Sequence, residues 1–173
     1  MCEKSTNDIS TRVSIPASRL SLATASLNTV KAGPDGIAHF SPSGDAFVTQ
    51  SIINEDTLTI HFKGHVMLVE VDLTLEAKYA PDAVTITINM TEPLQAGPFE
   101  WRLPLGGTAE KVSVVGFQSP GNLPCILKCA STLGPIVIEC AKQLPDVAAF
   151  LRCLEEAAVK DIGTILFCLL GCI

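Results

Sequence analysis

Six of the seven cysteines fall in the last fifty residues, as Cys125, Cys129, Cys140, Cys153, Cys168 and Cys172. Their order is mirrored, with two pairs at three-residue intervals flanking two single cysteines. On a helix, cysteines four steps apart lie one turn apart on the same face. Two chemistries suit such a seam. Oxidised, it laces two antiparallel helices; reduced, its thiolates suit a soft ion such as Cu(I). Zinc fits less well, because its cysteine ligands more often sit on loops at shorter spacing.

For lacing, the nested pairing joins Cys125 to Cys172, Cys129 to Cys168 and Cys140 to Cys153. Cys153 to Cys168 spans about 22 Å of helix, whereas Cys129 to Cys140 spans only about 16 Å. Gly134-Pro135 lies inside the shorter side. A proline there breaks the helix and pushes its predecessor into an extended conformation. Three extended residues bring the shorter side to about 22 Å, and the rungs meet. The expected unit is a disulfide-stapled helical hairpin kinked at Gly134-Pro135. Its nested cysteine order resembles that of saposin-like domains, lipid-handling modules closed by concentric disulfides. Its long intervals, of ten, twelve and fourteen residues, are more compact and less equal than in that family. Cysteine pairs lining a helical seam are similar to those of helical copper-storage proteins, which is the basis of the metal alternative.

Other reactive residues are sparse. The three histidines are His39, His61 and His65. The four-step spacing of His61 and His65 suits helical metal ligands, but Gly64 and the alternating pattern around it place them at a strand-turn-strand corner. Glu70, Asp72 and Glu76 alternate along one strand and read as the wet face of a sheet. Gly106-Gly107 reads as a turn, and there is no glycine-rich phosphate loop. These residues imply no enzyme and no cofactor.

The elements that carry these residues change texture near residues 118–122, a turn-rich Gln-Ser-Pro-Gly-Asn junction. Upstream, apolar residues alternate with polar ones, the signature of half-buried strands. Strands are expected at residues 57–63, 66–79 and 83–90, with shorter ones at 13–15, 37–40, 47–52, 99–103 and 112–117. Downstream, Pro124, Pro135 and Pro145 each mark a helix start, where a missing N–H costs nothing. The apolar residues there recur at helical spacing on two stripes, one for the hairpin seam and one that needs a cover, the sheet first, with another subunit or lipid as the alternatives. The fold class is therefore α+β. Residues 1–9 form a flexible N-terminus with Cys2, residues 10–118 an antiparallel β-meander or sandwich of seven or eight strands, and residues 119–173 the hairpin.

The net charge is −6, and no run of Lys or Arg occurs, which removes the electrostatic basis for nucleic-acid binding. The N-terminal residues are polar and lack the apolar stretch of a signal peptide. Disulfides nonetheless argue for secretion or another oxidising compartment. The apolar stretch at residues 162–173 is too short to span a bilayer, which takes about twenty residues. It still supplies a contact surface in Ile162, Ile165, Leu166, Phe167, Leu169 and Leu170. The expected function is that of a non-enzymatic binding protein whose hairpin touches a lipid or membrane surface, a peptide or a protein partner. The alternatives are a precursor that releases a disulfide-laced antimicrobial peptide resembling bacteriocins, and Cu(I) sequestration.

Overall fold

The computed structural model describes residues 28–31, 36–105, 113–116 and 123–172. The strand expected at residues 13–15, the terminus 1–9 with Cys2, the Gly106-Gly107 turn and the junction 118–122 lie outside the described residues.

Eight antiparallel strands pair strictly in sequence order: β1 (Asn28–Lys31), β2 (Gly36–Phe40), β3 (Ala46–Asn54), β4 (Thr57–Val66), β5 (Val69–Tyr79), β6 (Ala83–Glu92), β7 (Ala96–Pro104) and β8 (Ser113–Gly116). The body of this meander is the six strands β2 to β7, of five to eleven residues each. Four-residue β1 and β8 complete its edges. Two helices follow, α1 (Leu123–Cys140) and α2 (Val147–Leu170). Where a sandwich would place a second sheet, the described strands form a single sheet and its second layer is the helix pair. One buried core runs through both, from Leu58, Leu75, Ile88 and Trp101 on the strands to Leu133, Phe150, Leu154 and Ile165 on the helices. The two textures of the sequence are thus two layers around one core. α2 packs on β3 and β4, and α1 packs on β7 and β8.

Register follows from the alternation. Leu58, Ile60 and Phe62 of β4 stand opposite Ala77, Leu75 and Leu73 of β5, all buried on the helix side. Thr59, His61 and Lys63 stand opposite Glu76, Thr74 and Asp72 on the other face, on which neither α1 nor α2 packs. The carboxylates of Glu70, Asp72 and Glu76 thus point away from the core, as the wet-face reading has it. A one-residue slip would bring this charged row into the core, so register is strongly specified.

Two local expectations need correction. Gly64 is not at a turn, because β4 continues to Val66 and the turn is Met67-Leu68. His61 and His65 therefore lie on one continuous strand about 13 Å apart, too far to share a metal ion. Gly64 is required for a different reason. Its φ is +146°, and a Cβ there would lie 2.5 Å from both Ala46 O and Phe47 Cα of the neighbouring strand. The second correction concerns Pro135, which sits inside an unbroken α1. No extended residues lengthen the short side of the hairpin. The mismatch of about 6 Å is small enough to be taken up by opposite slants of about 3 Å at two rungs.

The helices are joined by a short 3-10 turn at Ala141–Gln143, and α2 is capped by Asp146, whose carboxylate accepts a hydrogen bond from Ala149 N at 3.1 Å. Three disulfides close the hairpin in the nested order the spacing predicts, Cys125–Cys172, Cys129–Cys168 and Cys140–Cys153, with Cα separations of 5.5, 5.8 and 5.4 Å. Three such bridges fit an oxidising compartment. Among the described residues no helix is long and apolar enough to cross a membrane.

Candidate functional site

At one end of the sheet, two hairpin turns and one helix converge. The β2–β3 turn brings Ser41, Ser43 and Asp45, the β4–β5 turn brings Met67, and α2 brings Val159, Lys160, Ile162, Gly163, Thr164 and Phe167. Together with Phe47 they enclose a cleft of 410 Å³, within the size range of small-ligand sites.

The close approach of the strands at Gly64 sets the two turns side by side. Asp45 then fixes them together, its Oδ1 accepting a hydrogen bond from Met67 N at 2.8 Å. Ser41 and Ser43 bond to one another through their hydroxyls at 2.6 Å, and Ser41 Oγ accepts from Asp45 N at 3.3 Å. These polar groups hold the turn in shape. Met67 in turn lies over Gly163 of α2, where an added Cβ would come within 3.4 Å of its Sδ.

The Met67-Leu68 turn is unusual in its residues. Both have positive φ, 53° and 65°, in a two-residue hairpin loop. Such loops favour Asn-Gly or Asp-Gly, because a bulky side chain in the left-handed region costs about 1–2 kcal/mol. Here both positions carry large apolar side chains, and Leu68 is 90% exposed. Phe167, on the helix side of the cleft, is 68% exposed. The lining of the cleft is therefore mixed, with apolar Met67 and Phe167 beside exposed Ser43 and Lys160.

His39 lies beside the floor. Its ring stacks on Phe47 with centroids 4.9 Å apart, and its Nε2 meets Thr49 Oγ1 at 2.8 Å. Nδ1 is buried without a partner. Burial lowers the pKa of His39 from 6.5 to about 4. The unfolded chain therefore takes up a proton between pH 6.5 and 4 that the folded chain refuses, so stability falls as pH falls through that window. The loss reaches about 3 kcal/mol below pH 4. Glu155 acts in the opposite sense, because burial, and then the neighbouring charge of Glu156, raise its pKa. Urea melts at pH 7, 5 and 4 are expected to show a steeper loss of stability for the wild type than for His39→Phe. Parallel profiles would rule out this role for His39.

The residues expected to make hydrophobic contacts divide sharply. Ile162, Ile165, Leu166 and Leu169 are buried in the core because α2 docks on the sheet, and Leu170 is half-buried. Only Phe167 is left facing outward. The six cysteines come together in their bridges, which leaves no thiolate among them in the oxidised chain. On the wet face His61 Nε2 meets Asp72 Oδ1 at 2.6 Å, and among the described residues no group of three His, Cys, Asp or Glu could hold a metal ion. The cleft itself is invisible to motif reading, since its lining comes from three separated segments. The one available signal is the change of alternation from even-numbered core residues, 58 to 62, to odd-numbered ones, 71 to 77. That change demands a turn, and the turn sits on two apolar residues. No family model, curated protein or solved structure matches this chain.

Proposed function

We propose that the protein is a non-enzymatic binding module that holds an apolar chain of a lipid or peptide in the cleft between the hairpin tips and α2. The observation that carries this reading is the Met67-Leu68 turn. Two bulky apolar residues occupy a backbone conformation that disfavours them, and one of them is almost wholly exposed beside a cleft. Backbone strain and an exposed apolar side chain each cost stability or solubility, and such features cluster at binding sites. The oxidised hairpin also fits secretion or an equivalent oxidising compartment.

Two other readings have less support. Release of residues 119–173 as an antimicrobial peptide would strip the apolar face of the sheet, since both share one core. Cu(I) sequestration needs thiolates, so it would require the reduced chain.

The test uses Nile red, a neutral apolar dye, titrated into the full chain. Saturable binding is expected, with Phe167→Ser weakening it about tenfold, equivalent to about 1.4 kcal/mol. The double variant Met67→Asn/Leu68→Gly is expected to lose binding while gaining about 1–2 kcal/mol of stability in urea melts, because it relieves the left-handed strain. Flotation with neutral liposomes then separates lipid from peptide as the source of the chain. Wild-type affinity in both variants, or no saturable binding at all, would overturn the reading.

A further inference from the structure

The sulfur atoms of the two outer bridges lie against one another. Cys129 Sγ is 3.8 Å from Cys172 Sγ, although each is bonded to a different partner. This contact follows from the four-step spacing on both helices, which stacks the rungs one turn apart. The inner bridge differs, because Cys140 is eleven residues beyond Cys129 and has no second rung beside it. Accessibility within each outer rung is uneven. Cys125 and Cys168 are half-buried, whereas their partners Cys172 and Cys129 are 8% and 3% exposed.

We propose that Cys125 is a site of S-thiolation by small thiols, and that the adjoining bridges relay the exchange to Cys168. An incoming thiolate attacks Cys125 Sγ, the more accessible sulfur of its bridge. The Cys125–Cys172 bond breaks, a mixed disulfide forms on Cys125, and Cys172 leaves as a thiolate. That thiolate already touches Cys129 Sγ and attacks it. The Cys129–Cys172 bond forms, the Cys129–Cys168 bond breaks, and the electron pair leaves on Cys168, which takes a proton from water. The number of disulfides is unchanged, so nothing is oxidised or reduced overall. Attack of thiolate on a neighbouring disulfide sulfur is the ordinary route of exchange, with rate governed by access. The outcome is a new thiol on Cys168, next to Phe167 at the cleft.

The experiment uses the native, fully oxidised chain and a limiting amount of glutathione, quenched with iodoacetamide at successive times. Trypsin cuts after Lys128 and so separates Cys125 from Cys129. Cys168 and Cys172 share one peptide, and fragmentation of that peptide assigns the label between them. The expected result is glutathione on Cys125 with the alkyl label on Cys168 in excess over Cys172. The double variant Cys129→Ala/Cys168→Ala, which lacks the second rung, should instead carry the label on Cys172. In the wild type, label confined to Cys172 at every time would overturn the relay. First opening at Cys140–Cys153 would overturn the assignment of Cys125.

Discussion

Complete reduction of the three bridges is expected to unfold the chain at room temperature, or nearly so. Bridges in a nested set do not contribute independently, because each inner one shortens the loop that the next one closes. The Cys140–Cys153 bridge, with its separation of 13 residues, contributes about 3 kcal/mol by loop entropy. Once it is made, the middle bridge closes a loop of about 27 residues rather than its nominal separation of 39, for about 3.6 kcal/mol. The outermost then closes only about nine, for about 2.6 kcal/mol. The total, about 9 kcal/mol, matches the whole stability of an ordinary domain, about 5–15 kcal/mol. Trp101 provides the measurement, since it is fully buried on β7, a strand on which α1 packs. Its fluorescence should shift to the solvent-exposed position as reductant is added, together with loss of far-ultraviolet helix signal. A reduced chain that still melts cooperatively with Trp101 buried would refute the claim. Removing the outermost bridge alone, in Cys125→Ala/Cys172→Ala, should cost only about 2–3 kcal/mol and leave the fold intact.

Gly64→Ala is expected to be the most damaging single methyl addition in the sheet, at about 3–5 kcal/mol. The added carbon would meet the backbone of β3 at 2.5 Å, and backbone, unlike the end of a long side chain, cannot swing aside. The strained φ of +146° adds to the cost for any residue with a Cβ. Relief requires β3 to move away from β4, which carries Phe47 and Asp45 with it and separates the two turns that frame the cleft. Nile red binding should therefore weaken along with the melting temperature. A variant that melts and binds as the wild type does would show that the close approach is not needed.

What could be read from residue order alone divides along physical lines. Period-two alternation locates strands because burial on one face leaves a strong imprint, and the mirrored cysteines locate the hairpin because covalent geometry admits few spacings. Residue order points to a turn at Gly64 rather than at Met67-Leu68 because glycine is the usual sign of a turn, whereas the true turn carries none of the favoured residues. A glycine demanded by a close neighbour looks the same in one dimension as a glycine demanded by a bend. Pro135 misled in a similar way. Helix propensity disfavours an interior proline, yet α1, held by its bridges and its packing on the sheet, continues through it. Helical periodicity reveals the apolar stripe of Ile162, Ile165 and Leu169 but does not choose between sheet, subunit and lipid as its cover; the sheet covers it. The cleft, assembled from turns distant in sequence, has no periodic signature at all.

The concentric order of the bridges has a consequence for biosynthesis. As the polypeptide emerges, Cys125 and Cys129 appear well before either of their partners, while Cys140 meets Cys153 after only 13 residues. The innermost crosslink closes the shortest loop and can therefore form first, and the outer two wait until Cys168 and Cys172 are brought beside the first helix. During that interval the protein carries two unpaired thiols on its first helix, and correct pairing requires that they stay unlinked until the helices align.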